Sequence, residues 1–337
     1  MEPTNWNNSY TNWISRSCNM TILISTQNYL NQKIGINKFI RLYNDKIKSI
    51  NLERKTILSE YEFNKKKIEN LTQFFMQKKI KKAHLHSILD SSVFKGIIDK
   101  LIRNNIHVTY FCHSLILEEI EYYKNKKKFE QKLIAQEELF TKSKKIIFLN
   151  NSQKNKAINK YPFLKYKSEV IYPGTIHRKI TEKKEKVILY VGRLTKEKGI
   201  LDLCQKFKKF YEIQPSYKLK IIGDMNSPII TQIINILNGT NYELLDWIYE
   251  TNKLDLEYQK AELVILPSYY DSFNMVGIES IANGTPILVR KIESFNEIYL
   301  SKKIAQKFED KIYFPKDKTF LPKEYSFDFF INQLIRI

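Results

Sequence analysis

Residues 263–290, LVILPSYYDSFNMVGIESIANGTPILVR, constrain the fold more than any other stretch of this chain. Residues 263–266 form a short apolar, β-prone run closed by Pro267 and Ser268, which predicts a buried strand. Residues 269–274 are turn-like. Residues 275–282 are good helix formers, Asn283-Gly284 ends them, and residues 285–289 read as a second buried strand. Strand, loop, helix and strand in this order make a unit of a parallel α/β sheet. The loop that leaves such a strand and feeds a helix N-terminus is where phosphate-bearing ligands sit. Asp271 lies in that loop and Glu279 about one turn into the helix, two carboxylates able to hold sugar hydroxyls.

The same habit runs through the rest of the chain. Strands are expected at 21–25, 83–87, 106–112, 146–149, 169–172, 187–191, 219–222 and 243–245. Helical patterns are expected at 36–47, 54–82, 118–143 and 199–213, with a helix start at Ser227-Pro228 and a short helix capped by Asp255. At 337 residues the chain is long for one domain, so two are expected, and the polar, turn-rich residues 173–185 are the linker and hinge candidate. His84 and His86 share one face of a strand with nothing nearby to complete a metal set, and read as structural. His113 stands at the carboxyl end of a strand, where sites in open α/β sheets gather.

Composition excludes several classes. Cys18, Cys112 and Cys204 are scattered, with no CxxC or CxxH spacing, so neither a zinc site nor a disulfide framework is expected and a reducing cytosol is the default. The first twenty residues lack the apolar core of a signal peptide. No run approaches the ~20 apolar residues of a membrane span, so a soluble or at most peripheral protein is expected. The net charge of +20 is unevenly spread: residues 1–180 hold 33 of the 56 basic and 15 of the 36 acidic residues. Two readings stand, a compositional bias toward Lys and attraction to an anionic surface. For the Lys-rich stretch 54–82 the same choice is between a solvated surface helix and a membrane-surface helix. No recognisable nucleic-acid module accompanies the charge, and no nucleic-acid partner is expected.

Arg193 and Lys198 follow a strand end, five positions apart, at the start of a helix. A planar guanidinium and a point-charge ammonium so placed suit a diphosphate. Together with residues 263–290 they bring a resemblance into view. VGRLTKEKG at 191–199 and PSYYDSFNMVGIESIANGTPILV at 267–289 resemble the phosphate-binding motif and the Glu-x7-Glu segment of the retaining glycosyltransferases of family 4, whose fold is GT-B. FCHSL at 111–115 is similar to that family's first-domain His segment. The resemblance implies an α/β GT-B fold, two Rossmann-like domains facing each other across a donor-binding cleft, here with a shortened C-terminus. It implies a polar arm at 1–20, an acceptor domain at 21–176, a nucleotide-sugar donor domain at 177–300 and a tail at 301–337.

The resemblance also assigns roles. Arg193, Lys198, Glu279 and His113 take the catalytic positions, with Glu279 toward the donor ribose and His113 toward donor sugar or acceptor. Gly192, Asp271, Ser272, Phe273, Asn274, Met275 and Val276 surround the donor, the loop 272–276 through its backbone amides. Gly35 and Asn37 fall on the acceptor side. The implied activity is a retaining, metal-independent hexosyltransfer from a nucleotide diphosphate sugar to a lipid, cell-wall, polysaccharide or peptide acceptor. No cofactor is implied. The implied place is the cytoplasm, peripheral at the inner membrane face. Asp271 stands where the family has Glu, Asn274 where it has Gly, and Gly35 where it has a glycine pair. Only some forty residues follow Glu297, with Ser326 expected to cap a closing helix. The alternative is a degenerate GT-B subunit that binds a partner and performs no chemistry.

Overall fold

A computed structural model describes residues 20–25, 56–59, 80–86, 97–315 and 319–337. Residues 1–19 of the polar arm, the pattern at 36–47, and Gly35 and Asn37 lie outside the described residues. The chain divides into two compact units, Met1–Phe148 with Ala157–Glu169, and Leu149–Lys156 with Val170–Ile337.

The first unit is built on strands β1 (Met20–Ser25), β2 (Thr56–Ser59), β3 (Ile80–Leu85), β4 (His107–Cys112), β5 (Lys145–Phe148) and β6 (Ser168–Val170), in the order β2-β1-β3-β4-β5-β6. The pairings of β1 with β2 and β3, of β3 with β4, and of β4 with β5 are parallel. One expectation is corrected here. Residues 56–59 and 80–82, inside the stretch read as mostly helical, are strand: Thr56 to Ser59 complete a parallel ladder on β1, and sheet pairing overrides the Lys-rich context.

The helices are α1 (Ile97–Arg103), α2 (Ile116–Tyr123), α3 (Lys126–Lys142) and α4 (Asn151–Lys160). The charged helical region expected at 118–143, open to being one helix or two, is two helices. Lys124 takes the left-handed conformation (φ 50°), and the side chain of Asn125 accepts from Lys128 N to start α3. The first residues of α4 count with the second unit and its remainder with the first.

The second sheet has the order β12-β11-β10-β7-β8-β9, all parallel, from β7 (Glu185–Val191), β8 (Lys218–Ile222), β9 (Tyr242–Leu245), β10 (Ala261–Leu266), β11 (Ile287–Val289) and β12 (Gln306–Lys307). Its central strands β7, β10 and β11 are apolar runs because both faces are covered. Val187, Leu189 and Val191 enter one core with Leu254 and Tyr258 of α7 (Thr251–Lys260) and Ile278 and Ile281 of α8 (Met275–Ala282). Ile188 and Tyr190 enter the other, against Leu203 and Phe207 of α5 (Ile200–Ile213) and Ile233 of α6 (Ile230–Leu237). Each fully buried aliphatic side chain contributes about 1.5–3 kcal/mol to holding the layers together.

Residues 173–185 pack in this unit rather than hang free. Thr175 pairs with Ser326, Thr181 N donates to Gln259 Oε1, and Lys184 donates to Ala261 O and Thr285 Oγ1. Asp255 lies inside α7, not at its cap, and meets Asn283 and Arg178. Ser326 does cap the closing helix α9 (Phe327–Ile335), accepting from Phe329 N. Among the described residues, no helix is long and apolar enough to cross a membrane.

Candidate active site

In the second sheet the chain runs β7-β8-β9 one way and β10-β11-β12 the other, so the order reverses between β7 and β10. Ligands of open α/β sheets bind outside the carboxyl ends of strands at such a reversal. The two motifs leave the sheet there, Gly192 and Arg193 after β7, Pro267 to Asn274 after β10.

The segments are fixed to one another. Lys196–Lys198 is a single 3-10 turn ended by Gly199 in the left-handed conformation (φ 68°). A Cβ on Gly199 would lie 2.1 Å from Pro267 O, so only glycine allows the turn to rest on that backbone. Tyr269 N donates to Glu197 O at 2.9 Å. Arg290 donates through Nε to Pro267 O at 2.8 Å, pairs with Asp202 of α5, and lies 4.0 Å from the centre of the Tyr269 ring. The result is one contact: Lys198 Nζ reaches Asp271 Oδ2 at 2.8 Å, with side chains 15% and 11% exposed.

Asn274 completes the arrangement. Its Nδ2 donates to the same Oδ2 at 2.9 Å, and its Oδ1 accepts from Val276 N at 3.0 Å, capping α8. The Val276 amide, expected among the ligand-facing donors, is therefore engaged by the cap. Tyr299 donates its hydroxyl to Asn274 O, and the approach depends on Gly277, where a Cβ would meet that hydroxyl at 2.5 Å. Burial pushes the Tyr299 phenol well above its ordinary value, and the charges of Asp271 and Glu279 add to the effect. Glu279 is buried in α8, where it accepts from Tyr258 Oη at 3.2 Å. Arg193 is 60% exposed and faces Glu197 at 3.8 Å. Met275 packs half-buried against the core, and Gly192 N continues the ladder to Ile222 O.

Two further residues hold the loop, neither of them assigned a role from sequence. Asn150 Nδ2 donates to Ser272 O at 2.6 Å, and Gln153 Nε2 to Ser272 Oγ at 3.0 Å. Asn150 Oδ1 accepts from Gln153 N, and the Glu297 carboxylate accepts from Asn151 N and Ser152 N, so the start of α4 is fully capped. Phe273 is buried beside Tyr172 and Tyr325. The only sequence sign was the cluster Asn150-Asn151-Ser152 following a strand, typical of a helix start.

His113 belongs to the first unit, immediately after β4. Its Nε2 lies 3.0 Å from Nδ1 of His86, whose ring stacks on Phe111 at 4.4 Å. His86 is thus buried, and it is the partner of a site candidate. Burial pushes the His113 pKa down to about 3. Gln136, wholly buried on α3, accepts from Ile116 N and donates to Ser114 O and Tyr110 Oη, fixing the turn that carries His113. Among the described residues, no three His, Cys, Asp or Glu side chains cluster to hold a metal ion.

Residues 174–310 match the family Glycosyl transferases group 1. The chain is 32% identical over 115 residues to an uncharacterized glycosyltransferase of Methanocaldococcus jannaschii, covering 34% of this chain and 29% of that protein. It is 29% identical over 113 residues to the alpha-monoglucosyldiacylglycerol synthase of Acholeplasma laidlawii, covering 33% of this chain and 28% of that one. The chain thus spans less than a third of the length of these two relatives. Among solved structures, the sucrose-phosphate synthase of Thermosynechococcus elongatus superposes with a TM-score of 0.71 at 15% identity, over 94% of this chain and 98% of that one. A glycosyltransferase from Rickettsia africae gives 0.65 at 13% identity, over 94% and 97%. The architecture is α/β with two parallel sheets, as in GT-B glycosyltransferase structures.

Proposed function

We propose that this protein is a glycosyltransferase that takes a hexose from a nucleotide diphosphate sugar and transfers it with retention of anomeric configuration. The observation that carries the reading is the contact of Lys198 with Asp271 at the strand-order reversal. A cation for a diphosphate and a carboxylate for sugar hydroxyls stand side by side, inside the region that matches Glycosyl transferases group 1. Breaking the bond between the anomeric carbon and the phosphate oxygen leaves its electron pair on the diphosphate. Lys198, Arg193 and the amides opening α8 other than that of Val276 would stabilise that charge where it develops, which supports a reaction without a metal ion. Glu279, held by Tyr258, would take the donor ribose. His113, neutral in the physiological range, serves as a hydrogen-bonding contact to donor sugar or acceptor rather than as a charge.

The acceptor is proposed to be a lipid or cell-envelope glycan at the inner face of the membrane, reached through the basic first half of the chain. The likeness to a glycolipid synthase supports this choice. The test is a donor panel of uridine, guanosine and adenosine diphosphate sugars, scored by hydrolysis and by transfer to lipid and glycan acceptors. One donor turned over by wild type and lost in Lys198→Ala supports the reading. Nucleotide binding without any turnover would make the chain a binding subunit of GT-B fold instead.

A further inference from the structure

Both cations of the site already face a carboxylate. Lys198 pairs with Asp271 at 2.8 Å and Arg193 faces Glu197 at 3.8 Å, so the motif is electrically balanced before any ligand arrives. Asp271 Oδ2 receives two donors, Lys198 Nζ and Asn274 Nδ2. Among the described residues no hydrogen bond reaches its Oδ1, and the side chain keeps 11% of its surface exposed. Asp271 is thus a charge held still from behind, with one oxygen left to accept.

We infer that Asp271 discriminates between the nucleotide diphosphate sugar and the nucleoside diphosphate left after transfer, favouring the first and expelling the second. The inference rests on the function proposed above. In the donor the terminal phosphate is esterified, and the sugar brings hydroxyls that donate to Oδ1. After transfer the sugar has gone and the freed phosphate ionises a second time, with a pKa near ~6 for such groups. The carboxylate that accepted the donor's hydroxyls then meets an additional negative charge beside Lys198. A carboxylate next to a diphosphate cation weakens the hold on the diphosphate itself. Its gain is in turnover, because product leaves faster than it would from a site with two unbalanced cations.

The experiment is calorimetric titration of the full chain at pH 8 with uridine, guanosine and adenosine diphosphates and their glucose esters. Asp271→Asn should raise the affinity for the free diphosphate relative to its ester by roughly tenfold, the effect of ~1.4 kcal/mol. Asp271→Glu keeps the charge and should keep the wild-type ratio. An unchanged ratio in Asp271→Asn, or equal weakening of both ligands, overturns the inference and leaves Asp271 merely a support for Lys198. If no nucleotide binds wild type, the proposed function fails instead. Should Asp271→Asn not fold, wild type reads the same effect. Between pH 8 and pH 5.5 its affinity for uridine diphosphate should rise relative to the glucose ester, and a flat or falling ratio overturns the inference.

Discussion

Asn150 donates its side-chain amide to the carbonyl of Ser272 at 2.6 Å, joining positions 122 residues apart. The same side chain caps α4 through Gln153 N, and both partners are buried. Asn150→Ala leaves two buried polar groups unmet, each at a cost of about 1–3 kcal/mol. The expected outcome is a lower denaturant midpoint together with a raised donor KM, because Ser272 and Phe273 lose their anchor. Unchanged donor KM in a folded variant would separate α4 from the site.

Lys198→Ala should lower kcat/KM for the donor by about 100–1000-fold, as when one charged donor is removed from a closed site. The melting temperature should fall as well, since the largely buried Asp271 carboxylate is left with Asn274 as its side-chain donor. Rates measured at saturating and limiting donor will show whether the loss falls on kcat, as stabilisation of a developing charge requires.

Gly199→Ala and Gly239→Ala form a matched pair. Both glycines have positive φ, 68° and 82°, and an L-residue there costs ~1–2 kcal/mol from backbone alone. At Gly239 no heavy atom lies within 4 Å of the new Cβ, so that cost is the whole effect and activity should persist. At Gly199 the Cβ meets Pro267 O at 2.1 Å, and the carbonyl is already held by Arg290. The turn must move, and Lys198 with it. Chemical denaturation and donor turnover on the two variants should diverge accordingly.

His113 gives stability a pH dependence above the carboxylate range. Unfolded, the ring takes its proton near 6.5; folded, burial delays this to about 3. Between those values the unfolded chain holds more protons, so stability is complete above pH 6.5 and declines as pH falls toward 3. One proton gives a slope of at most about 1.4 kcal/mol per pH unit. Urea midpoints at pH 7.5, 6.5 and 5.5 should fall in wild type and flatten in His113→Gln.

The second sheet was legible because β7, β10 and β11 are apolar runs whose alternate residues fill two cores, a pattern independent of distant partners. The strand at Thr56–Ser59 was not. Four residues among many lysines carry no period of their own, and only the ladder on β1 makes them a strand. Within the site, Lys198 and Asp271 were readable as types of chemistry, and their 73-residue separation closes through the topology. Asn150 and Glu297 escaped for a different reason. Their value lies wholly in contacts 122 and 146 residues away, and neither residue type nor local spacing encodes that.

Thr175 and Ser326 are bridged, Phe327 N donates to Thr175 O, and a Cβ on Gly174 would strike the Ser326 carbonyl at 2.5 Å. The second sheet's body therefore begins and ends at one place. A ribbon whose two ends are already clasped can be cut elsewhere and rejoined at the clasp with a short peptide. The exposed turn around Gly239 is a ready place for the new ends, giving a circularly permuted body in which every strand of the second sheet keeps its neighbours.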